Sequence, residues 1–372
     1  MRVGIIRRAP KASFSMDVYA DGLLRGLKTV RPAWQFIELI PKTSYPNGTS
    51  KFSGISKYYE RYYQYPSSIN RCQADIFHII DHSDGHILHW LKHAKQPKIV
   101  TCHDLVNLVQ PENIQNQARI PWISMMAWKF AIGGLVQADH IIAVSKHTAK
   151  DVNHLLDIVP EQITVIPNAV EPYFKQLPQT QVIALRQKLD IKPQTFCLLN
   201  VGSSHPRKNI MAVLHTLQIL RSQNFPAVLL KAGADFSTEQ KAFIGAHGLD
   251  ANIMYLGTPD SSALVEIYNV ADVLLAPSLY EGFGMTLLEA MACGTPVVTS
   301  NVTSLPDVSG DAGILASPTD IEALSKAVYT LAHQSDYRNL LIQKGLERVK
   351  AFTWEKTAEE VATLYESFYE KE

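Results

Sequence analysis

Tyr280-Glu281-Gly282-Phe283-Gly284-Met285-Thr286-Leu287-Leu288-Glu289-Ala290 is the stretch on which the fold turns. The apolar run Val273–Ala276 leads into it, and an apolar helical pattern leaves it, carrying a second carboxylate eight positions after the first (289 − 281). A strand that ends in a loop and passes into a helix is the repeating half of a parallel α/β sheet. The Gly-Phe-Gly turn exposes backbone N–H groups at a helix start, where a phosphate or the hydroxyls of a sugar can bind. Taken alone, the segment also fits a surface glutamate before a helix and a solvated one within it.

The same strand–loop–helix alternation recurs outward in both directions. Upstream, β-branched runs at Val3–Ile6, Ile76–Ile80, Ile99–Cys102, Ile141–Val144 and Ile163–Ile166 are each followed by a helical pattern. A second set comprises Phe196–Val201, Val228–Leu230, Ile253–Leu256, Val273–Ala276 and Val297–Thr299. Near-continuous apolar strands imply parallel sheets covered on both faces, and two sets imply two doubly wound domains. Pro167 to Pro193 holds four prolines at 167, 172, 178 and 193 and has little strand character, so it is the expected linker. Open α/β sheets bind ligands at the carboxyl ends of their strands, which makes a cleft between the domains the expected ligand site.

A length of 372 residues suits two domains, each large enough for its own core. Thirty-five Lys and Arg cancel thirty-five Asp and Glu, so no overall field recommends nucleic acid or an anionic membrane. Cys72, Cys102, Cys197 and Cys293 are far apart and form no C-x-x-C or Cys/His metal spacing, which points to a reducing, cytoplasmic compartment. The N-terminal apolar run is too short for a signal peptide's core, and Ile120–Val136 is interrupted by Lys129 and too short to span a bilayer.

A second marker follows the first strand of the second set: Asn200-Val201-Gly202-Ser203-Ser204-His205-Pro206-Arg207-Lys208-Asn209, then a helical pattern from Ile210 to Leu220. Cations at a helix start oppose the macrodipole unless an anion sits there, and a diphosphate is one such anion. A solvent-exposed basic pair is the plainer alternative.

These segments, with Ile166-Pro167-Asn168-Ala169-Val170, Ala276-Pro277-Ser278 and Gly294-Thr295-Pro296-Val297-Val298, resemble the retaining family-4 glycosyltransferases of GT-B fold, the glycosyl transferases group 1. The resemblance implies an α/β fold of two Rossmann-like doubly wound parallel-sheet domains. The expected bounds are an acceptor-side domain at 1–170, a donor-binding domain at 171–353 and a C-terminal helix at 354–372 packing back on the first domain. The activity implied is transfer of a hexosyl group from a nucleoside diphosphate sugar to an acceptor hydroxyl, with retention of configuration and without metal or cofactor. The acceptor would be a glycan, a lipid-linked sugar or a small molecule.

Carried over by position, Glu281 contacts the transferred sugar and Glu289 the ribose, while Arg207 and Lys208 take the diphosphate. Gly202, Gly282, Phe283 and Gly284 complete the expected donor site. A carboxylate accepting two hydrogen bonds suits vicinal hydroxyls. Two fixed cations and a helix terminus can replace a metal as the leaving group gains charge. The family's His-Asp pair falls on His103 and Asp104, with the imidazole on the donor sugar and Asp104 orienting it. Glu281 is not assigned as a nucleophile; front-face attack, with the acceptor proton passing to a phosphate oxygen, is the expected route.

Other features remain open at this level. Ser145 reads as a helix N-cap, and Asn168 as hinge architecture. The loop from Arg8 to Asp17 lacks the glycine pair common in the family, so the acceptor pocket, to which Ser15, His82, His86 and Asp104 are assigned, is expected to differ in shape. Ser203 stands where some members carry another arginine, a role Arg207 could fill. If helical, His82, His86, His89 and His93 line one face, either as a polar acceptor wall, an exposed surface or a metal stripe. Tyr58–Tyr65 fits stacking on an acceptor sugar, contact with a lipid interface or internal packing, and Trp122–Ile132 either internal packing or peripheral contact with the inner face of a membrane. The competing functions are a nucleotide-sugar epimerase or phosphorylase on a similar fold, and a nucleotide-sugar-binding protein without activity.

Overall fold

The computed structural model describes residues 1–9, 14–41, 59–109 and 121–369. Tyr58 and residues 10–13 of the glycine-free loop lie outside the described residues, as do residues 370–372. The chain forms two compact units, one of Met1–Ala169 together with the segment from Trp354 onward, the other Val170–Thr353.

In the first unit six parallel strands run β1 (Arg2–Ile6), β2 (Gln35–Leu39), β3 (Ile76–Ile79), β4 (Lys98–Cys102), β5 (His140–Ala143) and β6 (Ile163–Val165), in the order β2-β1-β3-β4-β5-β6. In the second, β7 (Phe196–Gly202), β8 (Ala227–Gly233), β9 (Ile253–Tyr255), β10 (Val273–Ala276), β11 (Val297–Ser300) and β12 (Gly313–Ala316) are ordered β12-β11-β10-β7-β8-β9, again all parallel. The order reverses between β1 and β3 in one sheet and between β7 and β10 in the other. Such reversals leave a crevice beyond the strands' carboxyl ends.

The ten strands expected from sequence are all present, and two more, β2 and β12, close one edge of each sheet. β2 escaped detection because an edge strand is half solvated, and it places Gln35 and Glu38 toward water instead of continuing an apolar run; β12, Gly-Ile-Leu-Ala, is apolar but spans only four residues and opens on a glycine. The expected linker region contains a helix, Gln179–Lys188, whose Arg186 donates to the Val270 and Thr195 carbonyls and to Asp272, making it part of the second unit.

The helix Trp354–Tyr369 completes the first unit's core, burying Trp354, Ala358, Val361, Ala362 and Tyr365 beside Tyr19, Leu23 and Leu27. Gly22 permits this approach, because a Cβ there would fall on the Trp354 indole. Beneath the contact runs a buried chain: Tyr365 Oη to His78 Nδ1 at 2.5 Å, His78 Nε2 to Thr101 Oγ1 at 2.7 Å, and Thr101 to Tyr19 Oη at 3.1 Å. Burial, with His103 nearby, lowers the His78 pKa to about 3, so the ring stays neutral. In the second unit Leu198, Val273 and Leu275 share a cluster with Val213, Leu217 and Val328. Among the described residues no helix is long and apolar enough to cross a membrane.

Candidate active site

The crevice of the second sheet is built by two turns, one after β7 and one after β10. They are tied together directly: Leu279 N donates to the Arg207 carbonyl at 2.7 Å, and Asn209 Nδ2 to the Pro277 and Pro318 carbonyls at 3.0 and 2.7 Å. Asn209 lies in the left-handed region (φ 55°) and ends the short turn Pro206–Lys208 before the helix Ile210–Ser222 begins. Arg207 and Lys208 therefore stand just ahead of that helix, pointing back over the crevice.

Their anion is Glu281. Arg207 Nη1 lies 2.8 Å from its Oε2, Lys208 Nζ 2.5 Å from its Oε1, and Ser278 Oγ donates to Oε1 at 2.8 Å. Burial alone would raise the carboxyl's pKa, but Lys208 and Arg207, aided by the Lys208 and Ser278 hydrogen bonds, bring it down to about 2. Glu281 is thus ionised at neutral pH, and the cluster of two cations and one carboxylate keeps net positive charge. Where a diphosphate was expected against the basic pair, the structure holds a protein carboxylate, that of the residue assigned to the sugar.

The Glu281–Phe283 backbone is fixed from a third loop. Glu281 N donates to Thr303 Oγ1 at 3.2 Å, and Ser304 Oγ donates to the Glu281 and Phe283 carbonyls at 2.9 and 2.7 Å. Thr303 has φ 57°, a strained conformation for a β-branched residue that this network over-determines. Gly284, at φ 109°, opens the helix Met285–Ala292, and a Cβ there would press on Leu305. Phe283 is buried with its ring 6.0 Å from that of Phe352, so its side chain packs and its backbone alone faces the turn.

Glu289, one helix turn further in, belongs to a separate contact. Tyr268 Oη donates to its Oε2 at 2.6 Å, and Thr295 Oγ1 holds the Tyr268 carbonyl at 2.6 Å. Burial raises the Glu289 pKa, opposed by the Tyr268 hydrogen bond and by Lys208. Tyr268, Thr303 and Ser304 went unread in the sequence. Ser278 stood in the quoted Ala276-Pro277-Ser278 motif, three residues before Glu281, but without a role assigned to it.

In the first unit, His103 is buried at the end of β4. Its Nε2 meets the Ile80 carbonyl at 2.9 Å, which requires the proton on Nε2 and leaves a lone pair on Nδ1, and Tyr19 packs edge-on at 4.7 Å. Burial lowers its pKa against the pull of Asp81. The contacts that orient His103 are therefore Ile80 and Tyr19 and not Asp104, which instead accepts from Val106 N at 3.2 Å and caps the next turn. Ser145 accepts from Thr148 N at 3.0 Å and is an N-cap.

The histidine stripe does not form. His82–His89 is a 3₁₀ helix, in which residues three apart eclipse, so His86 and His89 stay aligned while His82 falls out of line and His93 lies beyond the helix. His82 accepts from His103 N at 3.3 Å, and His86 is wholly buried with Nε2 on the Arg61 carbonyl, so it is no acceptor wall. Among the described residues no group of three or more His, Cys, Asp or Glu side chains is placed to hold a metal. Arg8 pairs with Asp81 and Asp84, Arg61 with Asp84 at 2.7 Å, and Ser15 is exposed at the start of the helix Phe14–Val30.

Two six-stranded parallel sheets with helices around them, the second bearing a cationic crevice at its strand-order reversal, define the GT-B class of fold. The solved structures agree. Sucrose-phosphate synthase from Thermosynechococcus elongatus superposes with a TM-score of 0.79 over 100% of both chains at 22% identity. HepE from Anabaena, in complex with UDP and glucose, gives 0.77 over 99% of this chain and 100% of that one at 15% identity.

Residues 5–173 match the family described as Glycosyltransferase Family 4, and residues 181–348 that described as Glycosyl transferases group 1. The chain is 30% identical over 281 residues to O-antigen chain mannosyltransferase B of Escherichia coli, covering 74% of this chain and 72% of that protein. It is 27% identical over 304 residues to the serotype-specific mannosyltransferase WbdA of Escherichia coli, 78% of this chain but only 36% of that protein. The chain belongs to the group 1 glycosyl transferases and is a glycosyltransferase.

Proposed function

We propose that the protein transfers a hexosyl group, with mannosyl the first candidate, from a nucleoside diphosphate sugar to a glycan hydroxyl, retaining configuration and requiring no metal. The sugar and acceptor follow the names of the Escherichia coli mannosyltransferases. The observation that carries the chemistry is the Glu281 carboxylate bridged by Arg207 and Lys208 at the strand-order reversal.

Each group has a task that its geometry suits. Arg207 and Lys208 neutralise the charge that builds on the departing diphosphate, work a metal would otherwise perform. Glu281, ionised, accepts hydroxyls of the transferred sugar. Because cations and Ser278 occupy both of its oxygens, it is a poor nucleophile, which favours front-face attack over a covalent glycosyl intermediate. Glu289, held on one oxygen by Tyr268, takes the ribose. The backbone of Gly202 and of Gly282–Gly284 receives phosphate and sugar oxygens, and His103, neutral with a lone pair on Nδ1, receives a sugar hydroxyl.

Peripheral membrane contact is supported by a specific surface. Trp122, Met126 and Phe130, four residues apart on the helix Pro121–Gly133, are 66%, 63% and 52% exposed, and the exposed rings of Tyr59 and Tyr63 stack at 5.3 Å. An apolar helical face of this kind suits the headgroup region of a bilayer.

The deciding experiment is a thermal-shift panel of GDP, UDP, ADP and their sugar conjugates, followed by NMR of the product's anomeric proton with EDTA present. Stabilisation by one nucleoside diphosphate and an EDTA-resistant product of retained configuration are expected. An inverted product removes the retaining mechanism, and hydrolysis without transfer removes the acceptor.

A further inference from the structure

β8 reads Ala227-Val228-Leu229-Leu230-Lys231-Ala232-Gly233, a buried strand with one charge in it. Lys231 is 0% exposed. Its Nζ donates to the Gly202 carbonyl at 2.7 Å and to the Ala232 carbonyl at 3.1 Å. An ammonium has three N–H donors and a full charge, and two carbonyls compensate neither completely. Among the described residues no carboxylate lies within ion-pairing distance of it. A buried, unpaired cation costs stability, so its presence in a strand that would otherwise be wholly apolar calls for a reason.

The surroundings supply one. Gly202, at φ 128°, is the last residue of β7, where the crevice begins, and a Cβ there would lie 3.6 Å from Lys208 Cε and 3.8 Å from its Nζ. Gly233 beside it is more tightly constrained, since a Cβ there would overlap the Gly202 carbonyl oxygen. The Gly202 peptide thus has Lys208 over its open side and Lys231 bonded to its oxygen, which also accepts from Ala234 N at 3.1 Å.

The titratable and charged groups facing Lys231 are Lys208 from the turn after β7, Asp235 just past β8, and its β9 neighbour Tyr255, whose hydroxyl donates to the Gly233 carbonyl at 3.0 Å. Burial and Lys208 lower the Lys231 pKa to about 8, with Asp235 opposing. In the ligand-free protein this ammonium is close to losing its proton at a mildly alkaline pH. Negative charge arriving in the crevice would restore it.

We propose that Lys231 is a positioning cation of the donor site: it pins the Gly202 peptide on which Lys208 rests, adds a third positive charge beneath a bound diphosphate, and takes up a proton when that diphosphate binds. This rests on the Gly202 turn being the diphosphate site.

The test is calorimetric titration of the full chain at pH 8 with GDP or UDP, whichever stabilises it, in HEPES and in Tris, which differ in ionisation enthalpy. The terminal phosphate is already ionised there, so uptake reports the protein. Wild type should take up a measurable fraction of a proton per site, since a group partly deprotonated when free becomes fully protonated when bound. Lys231→Met should lose the uptake, bind the diphosphate on the order of 10-fold more weakly, and bind the unphosphorylated nucleoside as before. It should also raise the donor KM more than it lowers kcat. Wild-type binding without proton uptake overturns the proposal, as does uptake that persists in Lys231→Met. Should that variant fail to fold, the wild-type measurement decides alone. Absence of any nucleoside diphosphate binding by wild type would instead strike the donor-site reading and this inference with it.

Discussion

Lys208 Nζ lies 2.5 Å from Glu281 Oε1 while Arg207 holds the other oxygen at 2.8 Å, so one carboxylate keeps both cations of the β7 turn in place before any ligand arrives. On the proposed donor role, a diphosphate entering here would meet donors already aimed and need little reorganisation to be bound. Lys208→Ala leaves Glu281 with Arg207 and Ser278 and is expected to preserve the fold. It should lower kcat by about 10²–10³. Circular dichroism and turnover of the same preparation check this, and unchanged kcat in a folded variant would strip Lys208 of its leaving-group task.

The same cluster makes a prediction about acid. Glu281 ordinarily titrates near 4.5 and is held at about 2 in the folded state. A depressed carboxylate contributes stability that is fully present above its unfolded value and is lost as pH falls through the folded one. Wild type should therefore lose on the order of 3 kcal/mol between about pH 4.5 and 2 from this group. Glu281→Gln should show a shallower decline across that window. Urea midpoints at pH 6 and pH 3 measure the difference, and parallel declines would refute it.

Tyr268→Phe removes the hydroxyl that holds Glu289 Oε2. A hydrogen bond to a charged group contributes about 1.5–3 kcal/mol, and without it the buried Glu289 should rise further in pKa. Nucleoside diphosphate binding should weaken by on the order of 10-fold and fall off at a higher pH on the acid side. A 2′,3′-dideoxy analogue, which offers Glu289 no hydroxyl, should bind both proteins alike. Equal losses for both ligands would mean that Tyr268 serves only packing.

Trp354→Ala empties the space between the helix Trp354–Tyr369 and Tyr19, and is expected to cost about 3–5 kcal/mol. Gly22→Ala attacks the same contact from the other side by forcing a methyl onto the indole. Denaturant melts followed by tryptophan fluorescence read both, and a Gly22→Ala protein as stable as wild type would contradict the close approach.

Replacing Trp122 and Phe130 with Ser removes the two exposed rings from one helix face. Co-sedimentation with vesicles containing anionic lipid at low salt should be lost in the double variant and present in wild type. Wild type that stays in the supernatant ends the peripheral-membrane proposal.

The sequence carried the sheet interiors well, because strands such as Ile99–Cys102 and Val297–Thr299 are buried on both faces and must be apolar throughout. It missed β2, whose half-solvated edge breaks that rule, and β12, a four-residue run opened by Gly313. Glu281, Arg207 and Lys208 were legible through their motifs, but their pairing was not, since no spacing rule links residues 73 and 74 positions apart in the chain. The histidine stripe misled because the expected period was that of an α-helix, whereas His82–His89 winds with three residues per turn and ends before His93. Lys231 lies just past the run Val228–Leu230 expected as a strand, and only the structure places it inside β8 with its ammonium on the Gly202 carbonyl.

The helix beginning at Trp354 is separated from the rest of its own core by the whole of the second unit. During synthesis, Tyr19, Leu23 and Leu27 leave the ribosome without the surface that will cover them, whereas Val170–Thr353 is complete before that surface is made. Nascent chains must keep this apolar groove from sticking elsewhere until translation has passed Tyr365, which makes the half of the protein that is made first the last to mature.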